Sequence, residues 1–122
     1  MTIEDQHTDL KSLRTITGKT ADWAELAKDC VCFANGTGGR LLIGIEDGEV
    51  LPPVGQLVPQ ELLDRLRKRI GQLTVNVQAL PILKRADNGG EFIELVIDRS
   101  PSVASTSEGR YFLRVGDTCQ PV

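Results

Sequence analysis

The apolar positions of this chain change period several times, and each change marks an element. Over residues 22–34, Trp23, Leu26, Ala27, Cys30, Val31 and Ala34 recur at the i, i+3, i+4, i+7, i+8, i+11 spacing of one helix face. Asp22 stands where an N-cap belongs, and Glu25 follows three residues later as in a capping box. Asn35-Gly36 ends the predicted helix, because both residues tolerate left-handed backbone angles. Thr37-Gly38-Gly39 reads as a tight turn. Residues 40–46 then read as a strand whose run Leu41-Leu42-Ile43-Gly44-Ile45 is apolar on both faces, the pattern of a central, covered strand. Asp47-Gly48 is a hairpin signal and predicts a return strand over residues 49–54.

Residues 1–9 are polar and are expected to be disordered. Residues 10–17 predict a short strand through Leu10, Leu13 and Ile16. Pro59 suits the first turn of a second helix, which runs to about Leu73 and buries Leu62, Leu63, Leu66, Ile70 and Leu73. Residues 74–85 predict a strand broken near Pro81. It is joined through the turn Asp87-Asn88-Gly89-Gly90 to a β-rich strand over 91–98. Residues 100–109 form a Ser- and Pro-rich loop, long enough to be mobile or functional. In a last strand over 110–115, Tyr111, Leu113 and Val115 share one face, and Arg110, Phe112 and Arg114 the other. The order predicts an α+β domain, with two helices packed on one face of a mixed sheet. The chain stops at Gln120-Pro121-Val122 without a predicted closing element. The expectation is one domain over 1–122, a module of a longer protein.

Composition narrows the function. The 122 residues suit a single domain, 40% hydrophobic and 25% charged. Aromatics are 4%, which leaves an aliphatic core and little material for a base-stacking platform. Net charge is −3 with a pI near 5.1, so any nucleic-acid contact must come from local clustering of the 14 Lys and Arg. Cys30, Cys32 and Cys119 are an odd, sparse set and read as small buried thiols, without a disulfide framework. The only His is His7, with no evident partner, so no metal site and no cofactor is expected. No segment reads as a signal peptide or a membrane span, and a cytoplasmic setting is expected.

The glycine-rich segment runs from helix into strand. Phosphate-binding fingerprints run from strand into helix, where the helix N-terminus faces the phosphate. No Gly-Lys-Ser/Thr follows here, so the loop reads first as a folding turn. Backbone N–H groups beside Arg40 still offer a place for an anion.

Cys32-Phe33-Ala34-Asn35-Gly36-Thr37-Gly38-Gly39, followed by Leu41-Leu42-Ile43-Gly44-Ile45-Glu46-Asp47-Gly48, resembles the Schlafen-type, Alba-like domain. That domain occurs in bacterial transcriptional-regulator-type proteins and in animal Schlafen proteins. Its signature is a helix ending in Ala-Phe-Ala-Asn, a small pair, Gly-Gly, an apolar strand, then Gly-Val/Ile-x-Asp-x-Gly. The matching positions are Asn35, Gly38, Gly39, Gly44, Asp47 and Gly48. Tyr111-Phe112-Leu113-Arg114-Val115-Gly116 is similar to a later family feature, an aromatic pair followed by Arg-x-Gly. The resemblance covers residues 10–117. It implies an Alba-related α+β fold, DNA or RNA as partner, and a larger parent protein.

Nuclease-active members carry a Glu, four residues, then Glu-Phe-Lys before the first helix, and those acids join a downstream Asp around metal. Here Ser12-Leu13-Arg14 is taken as the Glu-Phe-Lys position, and His7 falls on the earlier Glu. Only Asp47 then remains, and one carboxylate cannot hold the cation pair that phosphodiester cleavage generally uses. Nuclease chemistry needs Asp5 and Asp9 to substitute from a shifted register.

The candidate phosphate contacts are Arg40, Lys84, Arg85, Arg110, Arg114, Lys68 and Arg69. On the second helix, Arg65, Arg67, Lys68 and Arg69 read first as a solvated face. Lys84 and Arg85, at a hairpin tip, suit a nucleic-acid backbone better. Arg110 and Arg114 share a strand face and read otherwise as surface ion pairs. Trp23 reads as core. Three functions stay open: a non-catalytic nucleic-acid-binding module, a divergent metal-dependent nuclease, and an interaction or homo-oligomerisation module that has lost nucleic-acid contact.

Overall fold

The structure, a computed structural model, describes residues 7–122. The elements are β1 (Thr8–Lys11), α1 (Trp23–Asn35), β2 (Gly39–Ile43), α2 (Gln60–Leu73), β3 (Thr74–Val75), β4 (Ala79–Arg85), β5 (Glu91–Ile97), β6 (Ser105–Thr106), β7 (Phe112–Val115) and β8 (Thr118–Pro121). A four-stranded mixed sheet runs β1-β2-β5-β4, with β1 parallel to β2 and the other pairs antiparallel. Two short ribbons, β3-β6 and β7-β8, complete the fold.

Leu41 and Ile43 of β2 and Ile93, Leu95 and Ile97 of β5 join the residues of both helices in one core. Leu26, Cys30, Val31 and Phe33 of α1 and Leu62, Leu66 and Ile70 of α2 are all buried. The opposite face of the sheet carries a smaller cluster of Leu10, Leu42 and Ile45, with Phe92 packed against it. Strand β2 is therefore apolar on both faces, because each face has its own cover.

The α1 helix starts as predicted, with the Asp22 carboxylate accepting from the Glu25 N–H at 3.1 Å. Its end differs. Gly36 has φ −93°, and the left-handed turn comes two residues later, at Gly38 with φ +80°. A Cβ on Gly38 would lie 2.8 Å from the Ile97 carbonyl oxygen, and one on Gly39 would overlap the Phe33 ring. The turn thus needs both glycines, one for its backbone angle and one for close packing.

Other expectations shift. Residues 1–6 of the predicted disordered stretch lie outside the described residues, but Thr8 and Asp9 belong to β1. The predicted strand over 10–17 ends at Lys11, and Leu13–Ile16 forms a 3-10 turn capped by Ser12. The three-residue spacing of Leu13 and Ile16 suits that tighter helix. No return strand forms over 49–54. Gly44, at φ +115°, turns the chain away from the sheet, and Gln56 anchors the loop by donating to the carbonyls of Gly44 and Glu91, each at 2.9 Å. The antiparallel neighbour of β2 is β5.

Pro81 does not break its strand. It pairs with Leu95 on edge strand β4, where a missing N–H is tolerated, and the interruption falls at residues 76–78. The 100–109 loop is tied down: Ser100 N–H donates to the Ala34 carbonyl and Ser107 N–H to that of Leu73, both at 2.8 Å. Residues 118–121, for which the sequence predicts no element, form β8, which pairs with β7. Cys32 and Cys119 are disulfide-bonded, with Cα atoms 5.8 Å apart and a sequence separation of 87. Only Cys30 remains a buried free thiol. Cysteine spacing could not show this pair, because β8 meets α1 only in the folded chain.

Candidate nucleic-acid interface

The predicted phosphate contacts fall into separate places. Arg40 and Lys84 converge on the face of the sheet opposite the helices, but around Glu94: the Arg40 guanidinium lies 2.9 Å and the Lys84 ammonium 4.0 Å from its carboxylate. Register explains this, because Leu42 and Ile82 pair with Glu94 from either side, with Arg40 two residues before Leu42 and Lys84 two residues after Ile82. Arg40 Nε also donates to Thr8 Oγ1 at 3.2 Å. Arg85 is exposed beside Lys84 at the hairpin end.

Arg114 is not on the surface. It is 8% exposed, with its guanidinium 4.4 Å from the centroid of the Phe33 ring. Strand alternation decides this. Phe112 is buried against the core, so Arg114 points the same way, while Leu113 and Val115 face outward at 42% and 58% exposure. Arg110 precedes the strand and is exposed.

On α2, Arg65, Arg67 and Lys68 are exposed, and none makes an ion pair among the described residues. Arg69 lies over the Trp23 ring at 5.5 Å. Arg69 and Arg110 then meet across a hollow of about 350 Å³ between the start of α1, the end of α2 and the segment before β7. Trp23, Lys28, Glu108 and Phe112 also line it. Trp23 is half-buried, packed on the core by one side and open to the hollow by the other. The helix periodicity placed Trp23 on the buried stripe but not at its frayed edge. Lys28 carries no sequence signal at all, because the hollow is assembled from three distant segments.

Residues around the expected acidic site are engaged otherwise. Ser12 Oγ donates to Glu46 at 2.9 Å, and Arg14 lies 3.6 Å from the same carboxylate. His7 Nε2 is 2.8 Å from Thr37 Oγ1, so it does have a partner. Strand β1 itself carries Asp9-Leu10-Lys11, an acid–apolar–lysine triplet like Glu-Phe-Lys, beside β2. In that register the earlier acid falls on Glu4, outside the described residues, and the motif lies three residues before Ser12-Leu13-Arg14. The Asp9 carboxylate accepts from the Leu10 N–H at 3.0 Å and lies 3.4 Å from Lys11.

Lys11 reaches the buried Asp29 at 2.7 Å. The contact is an ion pair at hydrogen-bond distance, and among the described residues no other group satisfies Asp29 Oδ2. Burial raises the Asp29 carboxyl above the ordinary range, and the attraction of Lys11 offsets only part of that. Burial lowers the Lys11 ammonium, but Asp29 and Asp9 outweigh it and the net shift is upward. Asp47 is exposed. Among the described residues no group of three His, Cys, Asp or Glu side chains converges to hold a metal, so the acids in view do not fit a cation pair.

A family model described as Schlafen, AlbA_2 matches residues 4–122. The chain belongs to the Schlafen AlbA_2 family. This AlbA_2 domain is also similar to the crystal structure of the DIP2311 protein from Corynebacterium diphtheriae, at a TM-score of 0.69 and 28% identity. The match covers 96% of this chain and 25% of that one, so the AlbA_2 domain spans about a quarter of that chain's length. No curated protein matches. Asn35, one of the family-signature positions, fixes the end of α1 to the far segments. Its Nδ2 donates to the carbonyls of Ala104 and Phe112, each at 2.9 Å, and its Oδ1 accepts from the Ala104 N–H at 2.7 Å. No helix among the described residues is long and apolar enough to cross a membrane.

Proposed function

We propose that this AlbA_2 domain is a non-catalytic nucleic-acid-binding module of a transcriptional-regulator-like protein. The supporting observation is the unpaired basic surface of α2. Arg65, Arg67 and Lys68 have no acidic partner among the described residues, and Arg69 and Arg110 continue that surface into the hollow beside Trp23. Arg40 and Lys84 are engaged by Glu94 and are the weaker candidates. The overall charge of −3 makes the affinity of one domain low. A second copy, or the rest of a longer parent chain, then adds affinity by raising the effective concentration. The setting proposed is cytoplasmic, where thiol reductants keep the Cys32–Cys119 pair reduced, so the domain there holds its fold without that link.

The test is binding to DNA and RNA across a salt series. Affinity falls linearly on logarithmic axes as salt rises. Replacing Arg65, Lys68 and Arg69 together by Gln weakens binding and flattens the salt slope by about one unit per lost phosphate contact. Arg40→Gln changes little. Absence of binding at low salt overturns the reading.

The metal-dependent nuclease is kept as a second reading by one observation, the Asp9-Leu10-Lys11 triplet on β1. A cleavage assay with Mn²⁺, comparing the native protein with Asp9→Asn and Asp47→Ala, decides it. Equal turnover in all three, or none in any, removes it.

A further inference from the structure

Resting on the nucleic-acid reading, we infer that the hollow at Trp23 receives a single unstacked nucleobase, so that the domain prefers single-stranded nucleic acid to duplex. The hollow measures about 350 Å³, within the range of small-ligand sites, and its walls combine flat apolar surface with a few polar groups. Trp23 is the only tryptophan of the chain, and it is only partly buried although most large apolar side chains of α1 are fully buried. A ring in that position is a stacking surface for any base, because every base has a π-face.

Three acids, Asp22, Glu25 and Glu108, and three bases, Lys28, Arg69 and Arg110, line the hollow; Asp22 caps α1 and Glu25 holds Lys28, which leaves Glu108, Arg69 and Arg110 to meet one nucleotide. The Arg110 guanidinium is exposed at the rim and makes no ion pair among the described residues, so it is available to a phosphate. Lys28 is already committed, 3.1 Å from Glu25 and 6.0 Å from the Phe112 centroid. The Glu108 carboxylate lines the hollow as an acceptor for an exocyclic amine. Arg69 now covers the Trp23 face at 5.5 Å, which is too close to admit a base between them. Its one side-chain hydrogen bond, to Gln72, is 3.5 Å long, so the side chain can swing aside and stack on the far face of an entering base or pair with its phosphate. A base inside duplex stays paired and stacked, and extruding it costs a few kcal/mol.

Trp23 reports on its own site. The intact protein is titrated with a fluorescently labelled oligodeoxycytidylate, whose bases carry an exocyclic amine, and with a duplex of equal length, following label anisotropy and tryptophan emission together. The expected result is binding of the single strand with quenched emission, binding of the duplex without quenching, and about tenfold weaker single-strand affinity in Trp23→Leu. Trp23→Phe keeps a ring and retains most of the affinity. Arg110→Gln, at an exposed position, weakens the single strand without disturbing the fold. Single-strand binding that leaves emission unchanged and is indifferent to Trp23→Leu and Arg110→Gln overturns the pocket while leaving the nucleic-acid reading intact. Absence of any binding at low salt overturns both.

Discussion

Arg114 and Phe33 form a buried cation–π pair, the guanidinium 4.4 Å from the ring centroid with Arg114 8% exposed. The pair joins the β7-β8 ribbon to α1 beneath the glycine turn. A cation–π contact out of water contributes about 2 kcal/mol. Arg114→Ala is expected to lower stability in urea by about that amount and to leave nucleic-acid affinity unchanged. A large affinity loss at unchanged stability contradicts the buried placement.

Asn35 acts as a clamp with three hydrogen bonds to Ala104 and Phe112. Removing it strands backbone groups around the fully buried Ala104, at about 1–3 kcal/mol for each unsatisfied group. Asn35→Ala is expected to cost about 3 kcal/mol by denaturant titration. It is also expected to open the segment before β7 to proteolysis. Asn35→Asp keeps the acceptor but sets a carboxylate oxygen against the Ala104 and Phe112 carbonyls, so it costs at least as much as Asn35→Ala near neutral pH.

The Cys32–Cys119 disulfide closes a loop of 87 residues' separation, for which chain entropy predicts about 4–5 kcal/mol of stabilisation. Thermal melts with and without reductant check this, and Cys119→Ser follows the reduced protein. The reduced Cys119 thiol retains an acceptor, since its Sγ lies 3.7 Å from the Lys28 carbonyl oxygen. Cys30 resists alkylation until the protein unfolds, because it is fully buried and burial pushes its thiol pKa well up.

Asp29 and Lys11 set opposite ends of the pH profile. A carboxyl whose folded pKa is raised binds more protons folded than unfolded. Its relative contribution therefore improves as pH falls through the raised value toward the unfolded one, and is lost as pH rises back through it. The raised Lys11 contribution is complete below the ordinary lysine pKa and is lost as pH rises through the higher folded value. Lys11→Met leaves Asp29 buried without its partner and costs about 3–5 kcal/mol near neutral pH. That cost shrinks as acid protonates Asp29. A stability difference flat from pH 7 to pH 4 contradicts the assignment.

Periodicity alone determined α1, α2, the β4-β5 hairpin and the apolar β2, because each buries a stripe written locally in the residue order. The Schlafen AlbA_2 signature was legible because its residues are contiguous in the chain, but what they do was not: Asn35 bonds Ala104 and Phe112, and Gly38 leaves room for the Ile97 carbonyl. Only the tertiary structure decided which basic residues are exposed and unpaired. Glu94 reaches Arg40 and Lys84 through strand pairing, Phe33 receives Arg114 because Phe112 must point inward, and Cys119 meets Cys32 across the whole chain. The hollow at Trp23 belongs to the same class, since its walls come from three segments that are brought together only when the helices pack. Burial and charge pairing are properties of neighbours in space, and a local pattern carries no information about partners tens of residues away.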